Sequence, residues 1–222
     1  MQTAALIVAA GRGTRFGGDI PKQYVPLAGP CAFRRSIEQF LDLSEIAFVQ
    51  PVIHAEDEAL FAQAVMGLDD TRICPAVTGG DTRAASVLRG LLALEVRRPD
   101  CVLIHDAARP FVSARVITEV VKSLAHCPAA FAALPVVDAL WEVAQDEAQA
   151  PVPRDGLWRA QTPQGFHYDA LLAAHQAHSG DAADDVEIAR AAGIKVKVVQ
   201  GEENNFKITS PDDLARALSL LG

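Results

Sequence analysis

The chain has no Cys-x-x-Cys pair, no excess of basic residues and no apolar run long enough to cross a membrane. Each absence removes a class of function. The four cysteines, Cys31, Cys74, Cys101 and Cys127, are widely spaced, which predicts reduced, mostly buried thiols and a cytoplasmic location. A formal net charge of −8 and a pI near 5.2 argue against a nucleic-acid binder, because neutralising a phosphate backbone needs a broad basic surface. Any phosphate bound here must be held by a local basic cluster. The N-terminal apolar run is short, lacks a positive leader and passes straight into glycines, so it reads as a strand and not a signal peptide. There is no internal repeat, linker or low-complexity segment. At 222 residues, half of them hydrophobic, the chain is expected to form one domain over 1–222 with a full core.

What is present begins with Ala4 to Tyr24. A buried-strand run, Ala4 to Ala10, is followed by Gly11 and Gly13, then by Arg15 and by Pro21-Lys22-Gln23. Glycines let a backbone turn tightly and aim its N–H groups at an anion, while Arg15 and Lys22 add fixed positive charge. That chemistry suits a polyphosphate at the carboxyl end of a first strand. Two common phosphate loops do not match. Phe16 stands where a dinucleotide fingerprint needs its third glycine, and Gly18 is followed by Asp19-Ile20 instead of the Lys-Ser or Lys-Thr of a Walker loop. The remaining pattern, Ala-Ala-Gly-x-Gly-x-Arg with Pro-Lys-Gln, resembles the signature loop of sugar-nucleotide and polyol-phosphate nucleotidylyltransferases.

Further along, helical spacing over 32–43, a strand at 46–53, a helix at 56–65 and a weaker strand at 72–77 lead to Gly79-Gly80-Asp81, which opens a helix to about Leu94 with Asp81 as its expected cap. A strand at 101–105 ends in His105-Asp106-Ala107-Ala108-Arg109-Pro110, and a helix at 113–125 follows with Ser113 as its cap. This alternation predicts an α/β fold, a doubly wound, mostly parallel sheet. After a strand at 131–137 the rhythm breaks. Asp138 to Pro153 is polar and bounded by proline, and a long unpacked loop is usually functional, so residues 138–158 are expected to form a protruding arm. Helices at 168–178 and 184–192, a strand at 195–200 and a closing helix from Pro211 complete the chain.

Loops at the carboxyl ends of parallel strands share one face. The Gly11 loop, the Gly79 turn, the loop after His105 and the Asn205-Phe206-Lys207 segment should therefore converge, supplying Arg15, Lys22, Arg109 and Lys207 as cations and Asp106 as a carboxylate. Nucleotidyl transfer needs cations around the phosphorus and a carboxylate for Mg²⁺.

Five ordered motifs carry a whole-chain resemblance: the first loop, Gly-Gly-Asp-x-Arg-x-x-Ser-Val, His-Asp-Ala-Ala-Arg-Pro, Gly-Leu-Trp-x-Ala-x-Thr-Pro-Gln and Asn-Phe-Lys-Ile-Thr. The chain is similar to the 2-C-methyl-D-erythritol 4-phosphate cytidylyltransferases of the non-mevalonate isoprenoid pathway. That resemblance implies a Rossmann-like nucleotidyltransferase fold, Mg²⁺, and transfer of CMP from CTP to 2-C-methyl-D-erythritol 4-phosphate. By it, Arg15, Lys22 and Lys207 are the catalytic cations, and Asp106 is the Mg²⁺ carboxylate. Ala9, Ala10, Gly11, Gly13, Gly79, Asp81, Ser86, Asp106 and Arg109 bind CTP. Arg154 and Thr162 recognise the acceptor, with Arg154 reaching into the partner's site of a homodimer. Ribitol-5-phosphate cytidylyltransferase and a non-catalytic nucleotide-binding regulator are the alternatives. The presence of Arg15, Lys22 and Lys207 argues against the second.

Two departures from the family pattern touch acceptor recognition or dimer geometry. Asp138-Ala139-Leu140-Trp141 lacks the usual Asp-Thr, and the late helix opens Ala183-Asp184-Asp185 where the family reads Thr-Asp-Glu. Bland expectations hold elsewhere. His175 and His178 read as solvated, the 181–187 acidic patch as a helix start, Trp141 and Trp158 as dimer packing, and His105 as outside any nucleophile triad.

Overall fold

In the computed structural model of the chain, residues 1–12, 16 and 20–222 are described. Gly13 and Arg15 lie outside the described residues.

The first apolar run becomes β1, Thr3–Ala9, and it sits in the middle of a sheet. Parallel neighbours flank it: β2, Ile46–Ile53, on one side and β4, Cys101–Asp106, on the other. Beyond β2 lies β3, which is only Val77–Thr78. The strand expected over 72–77 therefore shrinks to this pair and a bridge from Ile73 to Val49. Pro75 offers no N–H to a ladder, and Gln50 Nε2 donates to the Pro75 carbonyl at 2.8 Å in place of backbone pairing.

On the far side of β4 comes β8, Trp158–His167, antiparallel to both β4 and β5, Ala129–Pro135; β9, Val196–Gln200, closes the edge parallel to β5. The order across the sheet is β3-β2-β1-β4-β8-β5-β9.

Alternation along the strands divides the core between two faces. Ala5, Ile7, Cys101 and Leu103 pack with Phe33, Ile37 and Phe40 of α1, Ala32–Leu41, and with Val116, Ile117 and Val120 of α4, Ala114–Ser123. Ala4, Leu6, Val102 and Ile104 face the other way, onto Val87, Leu91 and Leu94 of α3, Arg83–Leu94, and Leu171 of α5, Tyr168–Ala177. Each large side chain so buried contributes about 1.5–3 kcal/mol. α2, Glu58–Val65, packs on the first face; α6, Asp185–Ala191, contributes Ala189 to the second.

Ser113 caps α4 as expected, accepting from Val116 N–H. Asp81 does not cap α3. Thr82 does, its Oγ1 accepting from Ala85 N–H at 3.1 Å, so the helix begins one residue later than the sequence suggests. The final helix, α7, Pro211–Ser219, opens on a full capping box between Ser210 and Asp213.

The arm is a β-hairpin. β6, Leu140–Ala144, and β7, Glu147–Val152, form a two-stranded sheet of their own. Gln145 and Asp146 turn the chain with φ of 52° and 65°. Residues 141–149 are all exposed.

Candidate active site

Sheet order reverses between β1 and β4, because the chain runs outward from β1 through β2 and β3 and then returns to β1's other edge. Such a reversal opens a crevice beyond the strand ends. Here the crevice is a cleft of about 280 Å³, lined by Ala9, Ala10, Gly11, Lys22, Asp81, Ser86, Asp106 and Lys207 among others. These eight are residues that the sequence assigned to substrate or catalysis, drawn from four separate stretches of chain.

Local structure explains why each is there. Gln23, 2 % exposed, donates from Nε2 to the carbonyl of Ala9 at 2.8 Å and lies 3.3 Å from that of Gly11. It fastens the short turn Lys22–Tyr24 to the end of β1 and so holds Lys22 at the cleft. Arg12 is tied back to Asp57 at 3.1 Å and to Glu56. Gly79 must be glycine: a Cβ there would collide with Ala10 Cβ and stand 2.7 Å from Ser86 Oγ. Ser86 Oγ accepts from Gly80 N–H at 3.1 Å and donates to the Thr82 carbonyl at 2.9 Å. It lines the cleft with its hydroxyl committed to holding the turn.

Lys207 reaches the cleft because its segment is stitched to the loop after β4, with Ile208 N–H donating to the Ala108 carbonyl at 2.8 Å. Its Nζ lies 2.9 Å from Asp106 Oδ2. Arg109 Nε stands 3.6 Å from the same oxygen, and Arg83 Nε 3.8 Å from Oδ1. Burial would raise the Asp106 pKa, but the charges of Lys207, Arg83 and Arg109 outweigh it and hold the carboxyl well below the usual range. Asp106 is therefore an anion at any physiological pH, inside a ring of cations. The charged residues that line the cleft are Lys22, Arg83 and Lys207 against Asp81 and Asp106, so cations outnumber carboxylates there, which suits a polyphosphate despite the acidic chain.

Arg109, Thr162 and Arg154 are not among the residues that line the cleft. Arg109 Nη1 donates to the Asn205 carbonyl at 2.7 Å, which braces the Lys207 segment from behind. Thr162 is buried, its Oγ1 accepting from Asp106 N–H at 3.1 Å. Arg154 sits at the base of the arm, bonded to the Val137 carbonyl, and does not line this cleft.

His175 corrects an expectation. It is 4 % exposed, and its Nε2 is 3.0 Å from Asp185 Oδ1. Asp185, read from sequence as part of a solvated helix start, is fully buried, while Asp184 supplies the cap of α6. Gln23, Thr82 and Arg83 line the cleft without having been singled out from sequence, although Gln23 and Arg83 lie inside quoted motifs.

Among the described residues no helix is long and apolar enough to cross a membrane. No group of three or more His, Cys, Asp or Glu among them could enclose a metal by itself.

The model of one family, 2-C-methyl-D-erythritol 4-phosphate cytidylyltransferase (IspD), matches residues 3–222. A relative of that name from Cereibacter sphaeroides is 48% identical over 221 residues, covering 100% of this chain and 97% of the relative. A bifunctional enzyme IspD/IspF of Dinoroseobacter shibae is 50% identical over 218 residues, covering 98% of this chain and 53% of that protein. Among solved structures, the 2-C-methyl-D-erythritol 4-phosphate cytidylyltransferase of Thermus thermophilus superposes with a TM-score of 0.79 at 33% identity, covering 99% of this chain and 98% of that one. The 4-diphosphocytidyl-2C-methyl-D-erythritol synthase of Anaerococcus prevotii gives 0.84 at 27% identity, covering 99% and 95%.

Proposed function

This chain belongs to the 2-C-methyl-D-erythritol 4-phosphate cytidylyltransferase family, and from that premise we infer that its cleft binds CTP and transfers CMP to 2-C-methyl-D-erythritol 4-phosphate. The observation that carries this reading is the Asp106–Lys207 pair at the end of β4, facing Lys22 and the Gly11 backbone across a crevice of polyphosphate size.

An oxygen of the acceptor's phosphate attacks the α-phosphorus of CTP in line. The new O–P bond forms as the bond between the α-phosphorus and the bridging oxygen breaks, and that electron pair leaves with pyrophosphate. No covalent intermediate on the protein is needed. Lys22 and Lys207, with Arg15, neutralise charge on the phosphates and on the crowded α-phosphorus. Ala9, Ala10, the Gly79 turn and Asp81 form the wall where a small pyrimidine fits and a purine is crowded out.

Asp106 suits Mg²⁺. Its charge is fixed, and a lone carboxylate is the kind of partner Mg²⁺ takes when substrate phosphates supply further oxygens. Bound there, the ion would draw electron density from the phosphate oxygens. Asp106 would hold it, and Lys207 would turn from the carboxylate to the phosphates.

A homodimer completes the reading. The hairpin exposes Trp141 and Val143, and the segments at its base expose Val137, Leu157 and Trp158, an apolar surface that a marginally stable two-stranded ribbon would bury against a second copy. Arg154 would then serve the partner's acceptor site. Four free thiols accord with a reducing cytoplasm.

The test is pyrophosphate release with CTP, Mg²⁺ and each polyol phosphate in turn. Release with 2-C-methyl-D-erythritol 4-phosphate is expected. Release only with ribitol 5-phosphate would transfer the activity to the sister reaction, and release with neither would end the catalytic reading.

A further inference from the structure

Arg83 joins the cleft to a buried acid–imidazole pair that cytidylyl transfer does not itself require. As the first residue of α3 it stands between two carboxylates. Its Nη1 is 2.6 Å from Asp185 Oδ2, and its Nε is 3.8 Å from Asp106 Oδ1. The shorter contact decides where the guanidinium rests, since attraction falls with distance and 3.8 Å is beyond hydrogen-bond range. Asp185 is fixed in turn. Its Oδ1 lies 3.0 Å from His175 Nε2, and its backbone N–H donates to Gln164 Oε1 at 3.1 Å. Gln164 Nε2 donates to Asp184 Oδ2 at 2.9 Å. Residues of α5 and β8 thus fix the α6 carboxylate that holds the guanidinium of α3.

A buried ion pair is weak grounds for stability, because apolar residues of similar size often do as well, and positioning is its better-attested use. We propose that the His175–Asp185 pair is a positioning device that withholds Arg83 from Asp106. Asp106 Oδ2 already faces Lys207 at 2.9 Å. With Arg83 held back, Oδ1 stays open to the cleft. Without the Asp185 charge, Arg83 swings onto Oδ1 and both carboxylate oxygens are capped. His175, Asp185 and Arg83 are then positioning residues for the carboxylate that receives the metal–nucleotide complex. This rests on the reading of Asp106 as the Mg²⁺ carboxylate.

The experiment is CTP binding by calorimetry, with and without Mg²⁺, to the full chain and to Asp185→Asn, Arg83→Gln and the double variant, each checked for a cooperative thermal transition. Asp185→Asn is expected to weaken binding about fivefold with Mg²⁺ and to leave binding without Mg²⁺ unchanged, and in the Arg83→Gln background the same substitution should change neither. Should Asp185→Asn fail to fold, His175→Gln is carried through the same cycle, where a smaller loss with Mg²⁺, absent beside Arg83→Gln, is expected. Equal losses in both backgrounds, or a loss equally large without Mg²⁺, would overturn the proposal. If the unaltered chain shows no Mg²⁺-dependent CTP affinity, or Asp106→Asn keeps that dependence unchanged, it is the metal reading of Asp106 that fails.

Discussion

Thr162 and His105 set each other's hydrogens. Thr162 Oγ1 accepts from Asp106 N–H at 3.1 Å and lies 3.0 Å from His105 Nδ1. The Arg109 carbonyl, 3.1 Å from Nε2, can only accept, so the neutral ring carries its proton on Nε2. Nδ1 is then unprotonated and accepts from the Thr162 hydroxyl. One neutral tautomer thus spans the loop from Asp106 to Arg109 and fixes the backbone beneath the carboxylate. Thr162→Val, which leaves two buried groups unpaired, should destabilise the fold by about 1–3 kcal/mol, and Thr162→Ser by much less. Urea unfolding of both variants checks this. Equal losses would mean that packing of the methyl group, not the hydroxyl, is what matters.

That neutral ring carries a pH signature. Burial pushes the His105 pKa down to about 4 from an ordinary 6.5. Between those values the unfolded chain binds the extra proton, so stability is full above pH 6.5 and falls as pH drops toward 4. From about pH 6.5 to about pH 5 this one group removes on the order of 2 kcal/mol. Asp106 does not contribute in that window, since its folded pKa lies below its ordinary 3.8 and its stabilisation is lost only as pH falls beneath that value. His105→Gln, which keeps a donor for the Arg109 carbonyl, should flatten the stability profile across that same window. Parallel profiles for the two proteins would place the titration elsewhere.

Much of the cleft was legible in the sequence because the relevant residues end strands. Ala9 and Asp106 close apolar runs that can only be buried parallel strands, and parallel strands put their carboxyl ends on one face. β8 was not legible. Trp158–His167 changes from exposed to buried along its length, and it holds Pro163 and Gly165, which read as turn residues; yet Gly165 is needed because a Cβ would come within 2.7 Å of Val120 Cγ1. The His175–Asp185–Arg83 chain was hidden for a different reason. Periodicity tells which face of a helix is apolar, but not which polar residue of one helix meets that of another across the sheet's end. The hairpin turn was equally silent, since Gln145 and Asp146 adopt positive φ without glycine.

The cations at the cleft bear on turnover more than on folding. Lys22→Ala should lower turnover by about a hundredfold or more while the thermal midpoint stays close to that of the unaltered chain, as removal of charge stabilisation at a transition state does. Arg15→Ala is expected to do the same. Steady-state rates of pyrophosphate release measure it, and near-normal turnover in either variant would remove that residue from the chemistry.

Asp106→Asn keeps shape and most hydrogen bonding but removes the charge at the centre of the ring of Lys207, Arg83 and Arg109. Activity should then require far more Mg²⁺ or vanish. A Mg²⁺ titration of pyrophosphate release reads this directly. An unchanged midpoint would leave Asp106 as a purely structural counter-charge for three cations.

The arm gives the sharpest test of assembly. Its hairpin makes a sheet of its own, and Arg154 lies at its base, away from the cleft that holds Lys22. If the arm crosses to a second copy, each acceptor site combines Lys22 of one subunit with Arg154 of the other. Arg154→Ala and Lys22→Ala homodimers should both be poor enzymes. After subunit exchange, the heterodimer contains one site in which an intact Lys22 meets an intact partner Arg154, so the mixture should regain roughly a quarter of normal activity when exchange is random and sites act independently, a level far above either homodimer. Native mass spectrometry establishes that exchange took place. Exchanged mixtures no more active than the mean of the two homodimers would mean that Arg154 serves its own subunit or none.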